Sequence, residues 1–73
     1  MSALSMWTVY ERPSDYPTQY VARRSVVERG GYRNTDDDVL ADTLAGVRAL
    51  LPRGLYCLPR QQGDEPQIVE VWL

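Results

Sequence analysis

The pattern of apolar and polar residues along the chain predicts four short strands. The first runs from Met6 to Arg12, a segment rich in β-favouring residues that ends at Pro13. The second spans Tyr20 to Glu28, and the short apolar run at residues 55–58 is compatible with a third. The fourth, residues 67–73, alternates most clearly, which predicts two rows of side chains on opposite faces.

The second strand alternates poorly. In a regular strand Val21 and Val27 would share a face with Arg23, which mixes apolar and charged side chains in one row. A bulge near Arg23 and Arg24 would restore a cleaner pattern, because one extra residue reverses the alternation that follows it.

One amphipathic helix is predicted after the Gly-Gly pair that ends the second strand. Seven residues fall within an arc of about 140° on a helical wheel, the width of a core-facing stripe. They are Val39, Leu40, Thr43, Leu44, Val47, Leu50 and Leu51. Thr35 or Asp36 is expected to cap the first free amides, acidic residues in the first turn suit the helix dipole, and Pro52 ends the helix.

These elements follow the order ββαββ and predict a small α+β domain, with one helix packed on a mainly antiparallel sheet of three or four strands. Residues 1–5 are expected to be a flexible tail, residues 6–73 the single domain, and residues 59–66 a polar loop. A domain of 73 residues buries a small core, which rarely contributes more than about 3–5 kcal/mol net. Association with a second chain is one way to add stability.

Residue types that are absent restrict the chemistry more than any motif does. Every basic residue is arginine, histidine is missing, and Cys57 is the only cysteine. Lysine, histidine and paired cysteines provide most general bases, nucleophiles and metal ligands, so neither catalysis, a metal nor a cofactor is expected. Cys57 lies among apolar neighbours and is expected to be a buried small hydrophobe. An enzyme that uses carboxylates alone is the remaining catalytic alternative.

Charge is distributed unevenly along the chain, whose net charge is −2. Five arginines precede residue 34, whereas a run of aspartates, Asp36–Asp38, follows it. The run lacks the alternating ligands of a calcium loop, and the overall acidity argues weakly against nucleic acid as the main partner.

Sequence features also bear on location and origin. No stretch approaches the 18 apolar residues of a membrane span, and no secretory leader is visible. A lone cysteine fits a reducing cytoplasm, and the all-arginine basic set fits a GC-rich bacterial genome.

Two sets of residues are candidates for a binding face. Aromatic and arginine side chains on the first two strands have the composition of a single-strand-binding surface: Tyr10, Arg12, Tyr20, Arg23 and Arg24. The alternative is that the aromatic rings fill the core and the arginine stems cover its edge. On the last strand, Ile68 and Trp72 are predicted to share a face that the helix leaves uncovered, unless Trp72 packs over the loop at Tyr16 or Pro17.

The opening Trp-Thr-Val-Tyr-Glu-Arg-Pro with Asp15-Tyr16-Pro17, and the ending Ile-Val-Glu-Val-Trp, resemble a group of short bacterial proteins to which no activity is assigned. The resemblance covers nearly everything after Met6 and implies a small cytoplasmic α+β domain, with no catalytic residue to carry over. The resulting expectation is a non-catalytic protein-binding or adaptor module whose partner is an unknown protein or a second copy of the chain. The alternative is a single-stranded nucleic-acid-binding module.

Overall fold

A computed structural model describes residues 4–60 and 66–73 of the chain. The elements in these ranges are β1 (Leu4–Glu11), β2 (Tyr20–Glu28), β3 (Gly31–Ala41), α1 (Leu44–Leu50), β4 (Cys57–Pro59) and β5 (Ile68–Trp72). The strands form one antiparallel sheet in the order β3-β2-β1-β5-β4.

The predicted single helix and antiparallel sheet are confirmed. The predicted ββαββ order and strand count are wrong, because a third strand precedes the helix and the sheet has five strands in the described ranges. β1 begins at Leu4, inside the segment expected to be a tail. Most of the loop predicted at residues 59–66 lies outside the described residues, as do residues 1–3 of that tail.

The segment predicted as the first half of the helix is strand β3. The β2–β3 hairpin turns through Arg29 and Gly30, and Gly30 has φ +96°, a conformation that glycine adopts at low cost. β3 then pairs with β2 as far as Ala41, so Val39 and Leu40 are strand residues. Ladder hydrogen bonds and contacts with β2 outweigh the local helical pattern, because helix propensity is a weak preference that tertiary context overrides.

Helix α1 is shorter than predicted and begins at Leu44. Thr43 is its N-cap, and its hydroxyl accepts a hydrogen bond from the Gly46 amide at 3.0 Å. The predicted caps Thr35 and Asp36 lie in β3 instead. In the described part of the chain, no helix has the length and apolar character needed to cross a membrane.

The core lies between α1 and one face of the sheet, which we call the covered face. Trp7, Val9 and Ala22 of the sheet are buried against Val47 of α1. Partly buried apolar residues packed around them are Tyr20, Val39, Ala41, Leu44, Leu51, Leu55, Val69 and Trp72. The core is therefore one layer deep, as the short chain requires.

A bulge in β5 separates two residues that were predicted to share a face. Against β1, β5 has one extra residue, Val69, which reverses the alternation. Trp72 pairs with Trp7 on the covered face, whereas Ile68 pairs with Tyr10 on the opposite face. The prediction that Ile68 and Trp72 share one face is therefore wrong.

The irregularity predicted near Arg23 and Arg24 is confirmed in position, but the extra residues lie on β3. Arg23 pairs with Asp38 and Ser25 pairs with Asn34, so Arg24 faces three β3 residues instead of one. β2 itself is regular against β1. The mixed row of apolar and charged side chains that its sequence implied is therefore real.

Candidate binding face

The sheet face opposite α1, which we call the open face, carries the candidate site. Directly paired residues in adjacent strands share a face, so the register identifies its members. Near the β1–β2 connection, Tyr10, Val21 and Leu40 form one row across the sheet. Val21 is completely buried, and Pro13 and Asp15 of the connection lie beside Tyr10, so this end of the open face is covered.

A polar cavity of about 310 Å³ occupies the middle of the open face, and we call it the acidic cavity. Its lining residues come from all three of the strands β1, β2 and β3 and from the β1–β2 connection: Thr8, Tyr10, Asp15, Arg23, Ser25, Asn34, Thr35, Asp36 and Asp38. Three of these are aspartates and one is an arginine, so the lining has an excess of negative charge.

Arg23 is held in place from three sides within this cavity. Its guanidinium forms an ion pair with Asp15 and lies 4.0 Å (Nε to Oδ2) from Asp38. It also sits over the ring of Tyr10, 5.2 Å from the centroid, at cation–π distance. The arginine is therefore engaged by the protein's own groups and does not offer a free positive charge.

The floor of the cavity is polar and largely buried. Ser25 donates a hydrogen bond from its hydroxyl to Asn34 Oδ1 at 3.0 Å. Thr8 is only 8% exposed, and its side chain belongs to the open face because Thr8 pairs with Arg23. Among the described residues no buried side-chain nitrogen or oxygen lacks a hydrogen-bond partner, so this floor holds no unsatisfied polar atom.

Three exposed apolar residues end the open face beyond the cavity. Leu4, Val27 and Tyr32 are direct partners on β1, β2 and β3, and they are 53%, 37% and 69% exposed. We call this row the end stripe. It lies two residues along the strands from Ser25 and Asn34, a separation of about 7 Å.

The structure divides the residues that the sequence predicted as a binding face. Tyr10, Arg23 and Ile68 belong to the open face. Tyr20, Arg24 and Trp72 belong to the covered face, and Arg12 follows β1 in an exposed position. Arg24 is also paired, with Asp37 at 2.7 Å and Ser5 at 3.1 Å. A continuous tyrosine and arginine surface is therefore not formed.

Glu70, on the covered face, is the centre of a second polar cluster. Its carboxylate accepts hydrogen bonds from Arg48 Nε at 2.9 Å, from Arg48 Nη2 at 2.5 Å and from Trp72 Nε1 at 2.6 Å. The Arg48 hydrogen bonds hold the pKa of the Glu70 carboxyl below its ordinary range, against the opposing effect of burial. The cluster ties the end of α1 to β5 and keeps the carboxylate ionised, so it is a structural contact.

Cys57 is exposed, which makes the prediction of a buried cysteine wrong. Desolvation raises the pKa of its thiol, and the Glu70 carboxylate raises it further. A raised pKa disfavours the thiolate that a nucleophilic cysteine requires. Within residues 4–60 and 66–73, no three His, Cys, Asp or Glu side chains are grouped so as to hold a metal ion.

No protein-family model, no curated protein and no solved structure matches this chain.

Sequence reasoning missed the residues that distinguish this face. The aspartate run was interpreted as the start of a helix. It lies instead in β3, where it neighbours the arginines of β2. The Gly-Gly pair between Val27 and Tyr32 is a sequence signal for a β-hairpin. A hairpin predicted there would have paired Val27 with Tyr32 in the end stripe.

Proposed function

We propose that the protein is a non-catalytic protein-binding module whose open face takes a basic, partly apolar segment of a partner protein. The observation that carries this proposal is the end stripe, a row of exposed apolar side chains beside a cavity with excess negative charge. The lone cysteine and all-arginine composition support a bacterial cytoplasmic location.

The end stripe has the shape of a contact surface. Its three side chains span three neighbouring strands, a width of about 10 Å, and they lie in register, so that they form one strip instead of scattered contacts. Contiguous exposed apolar groups rimmed by polar residues are typical of interaction sites. Contact with a partner would remove this strip from water, which is the main favourable term in association.

Charge identifies the kind of partner. The acidic cavity adjoins the end stripe, so a segment that covers both would place its own charges against the aspartates. Complementary charge gives specificity and faster encounter, which favours a basic segment. A second copy docked through the same face would bring two acidic cavities together, which disfavours self-association there.

The geometry gives less support to the other function classes. Arg23 and Arg24, central to a nucleic-acid surface, are paired with aspartates, and the excess negative charge beside Arg23 would repel phosphates. The shifted pKa values also give little support to catalysis. The pKa of Glu70 is lowered, which makes its carboxylate a weaker general base, and the pKa of Cys57 is raised, which disfavours the nucleophilic thiolate.

Peptide display against the immobilised protein tests the proposal. Selected peptides are then measured against the double variant Val27→Thr/Tyr32→Thr, which removes two of the three apolar side chains of the end stripe and keeps β-compatible residues. The control is Leu50→Gln, which changes an exposed apolar residue on α1, on the other side of the sheet. We expect binding to fall at least about fivefold in the double variant and to stay unchanged in the control.

Two outcomes would overturn the proposal. One is a set of selected peptides that bind the double variant as tightly as the wild type. The other is a wild-type dimer in sedimentation that the double variant dissociates, because a second copy would then occupy the stripe.

A further inference from the structure

We infer that the partner segment binds as an added β-strand, antiparallel to β3 on its free edge beside the end stripe. This inference rests on the proposed function and specifies the conformation in which the segment is recognised. Addition of a strand to an exposed sheet edge is a recurrent mode of peptide recognition, in which backbone hydrogen bonds provide affinity and alternate side chains provide specificity.

The two edges of the sheet differ in how accessible they are to another strand. β4 forms one edge, has 3 residues and ends in Pro59, and both a short strand and a proline hinder pairing. β3 forms the other edge, has 11 residues and contains no proline. Gly31 to Asn34, at the end of β3 that carries Tyr32, are all exposed. The first residues of β3 therefore provide the accessible edge.

The hydrogen bonds of the β1–β2 ladder show which way the backbone of β2 points. The Arg12 amide donates to the Gln19 carbonyl at 3.0 Å, just outside the pair formed by Glu11 and Tyr20. A pair flanked in this way is itself not hydrogen-bonded, so the N–H and C=O groups of Tyr20 point away from β1 and toward β3. Orientation alternates along a strand and β2 is regular against β1, so every second residue from Tyr20 points toward β3.

This alternation leaves backbone groups of β3 unpaired at the sheet edge. Val27 and Ser25 are an odd number of residues from Tyr20, so their backbone groups point toward β1. Their partners on β3, Tyr32 and Asn34, therefore direct their N–H and C=O groups outward from the sheet. Among the described residues, none forms a hydrogen bond with these two N–H and two C=O groups. They are available to an added strand.

The same geometry determines which side chains the segment presents on the open face. In a hydrogen-bonded antiparallel pair both side chains lie on one face, and Tyr32 and Asn34 belong to the open face. The residue opposite Tyr32 would extend the end stripe onto a fourth strand, which favours an apolar side chain.

Charge favours a basic residue earlier in the same segment. Because the two strands run in opposite directions, the residues two and four positions before the apolar one lie beside Asn34 and toward Asp36. Among the described residues Asp36 has no ion-pair partner, so a basic side chain at one of these positions is complementary to it. The segment is thus expected to be extended, with a basic residue two or four positions before an apolar one.

Backbone N-methylation of a display-selected peptide tests this mode of binding. In an added strand, every second N–H of the peptide bonds to β3 and the N–H groups between them point to solvent. We expect methylation of the bonded set to weaken binding at least about tenfold, since each methyl group removes a hydrogen bond and hinders close approach of the strands. Methylation of the intervening residues is the matched control and should weaken binding less than about threefold.

Hydrogen exchange followed by NMR gives the corresponding observation on the protein. The amides of Tyr32 and Asn34 should exchange rapidly in the free protein and at least about tenfold more slowly in the complex with the peptide. The amide of Arg33 is the control, because it points toward β2 and should be protected in both states.

The inference is wrong if methylation weakens binding uniformly or at every third or fourth residue, as it would for a helix. It is also wrong if the peptide leaves exchange at Tyr32 and Asn34 unchanged, or if the free protein sediments as a dimer with both amides already protected. Unchanged exchange, with peptide binding still weakened in the Val27→Thr/Tyr32→Thr variant, would leave the proposed function standing. Selected peptides that bind that variant as tightly as the wild type would instead remove the proposed function itself.

Discussion

Replacing Glu70 with glutamine should destabilise the protein strongly for a single-atom change. The carboxylate accepts three charge-assisted hydrogen bonds, two from Arg48 and one from Trp72, and its side chain is 5% exposed. Glutamine keeps one acceptor oxygen, so one or two of these bonds are lost, each about 1.5–3 kcal/mol. Arg48 is 46% exposed and regains water, which keeps the loss below the 3–5 kcal/mol typical of a fully buried pair.

We therefore expect Glu70→Gln to lower the free energy of unfolding by about 2 kcal/mol, or Tm by roughly 8–16 °C for a domain of this size. Urea denaturation followed by tryptophan fluorescence measures it, because Trp7 and Trp72 both pack at the core. Glu28→Gln is the matched control, since its ion pair with Arg33 at 2.9 Å is exposed and should contribute less than about 1 kcal/mol. Equal losses in the two variants would refute the structural role of Glu70.

The same contact predicts how stability changes with pH. The folded pKa of the Glu70 carboxyl is lowered, so the unfolded chain binds its proton more readily than the folded one. The stabilisation is therefore complete above the unfolded pKa of about 4.3 and is lost as the pH falls through the lower folded value. Wild type should lose more stability between pH 5 and pH 3 than Glu70→Gln; parallel losses would contradict the assignment.

Three further destabilising substitutions, two of them with a control variant, test the fold through the shift in the urea midpoint. Val47→Ala should cost about 2 kcal/mol because Val47 is completely buried, whereas Leu50→Ala on the exposed side of α1 should cost less than about 0.5 kcal/mol; similar losses would place α1 wrongly. Thr43→Ala should cost about 1 kcal/mol through loss of the N-cap, and Thr43→Ser should restore most of it. Gly30→Ala should cost about 1 kcal/mol because φ is +96°, where Cβ crowds the residue's own backbone; nothing else lies within 4 Å of the added Cβ. No loss would contradict the hairpin geometry.

The local pattern of apolar and polar residues was sufficient to predict the elements whose structure depends mainly on their own residues. Tyr20–Glu28 is a strand as predicted, and the last strand lies within the predicted range. The local pattern gave the wrong element at residues 31–41. The apolar spacing there fits a helical wheel because β3 and α1 bury side chains in the same core. Asp37 and Asp38 pair with arginines of β2, and such long-range contacts leave no local signature.

The candidate site was even less accessible from the sequence, because faces depend on register. The extra residue at Val69 reverses the last strand, so Ile68 and Trp72 lie on opposite faces. Nothing in the alternation of that segment marks a bulge. Tyr10 and Arg23 were correctly chosen as neighbours on one face, but the aspartates beside them invert the charge that their composition had indicated.

Chemical-shift mapping with one display-selected peptide is the most direct test of where the protein binds. We predict that the largest amide shifts will fall on the end stripe and the acidic cavity, at Leu4, Val27, Tyr32 and Asp36, and that α1 will be unaffected. Shifts centred on α1, or on β4 at the far edge of the sheet, would contradict the assignment of the open face as the binding surface.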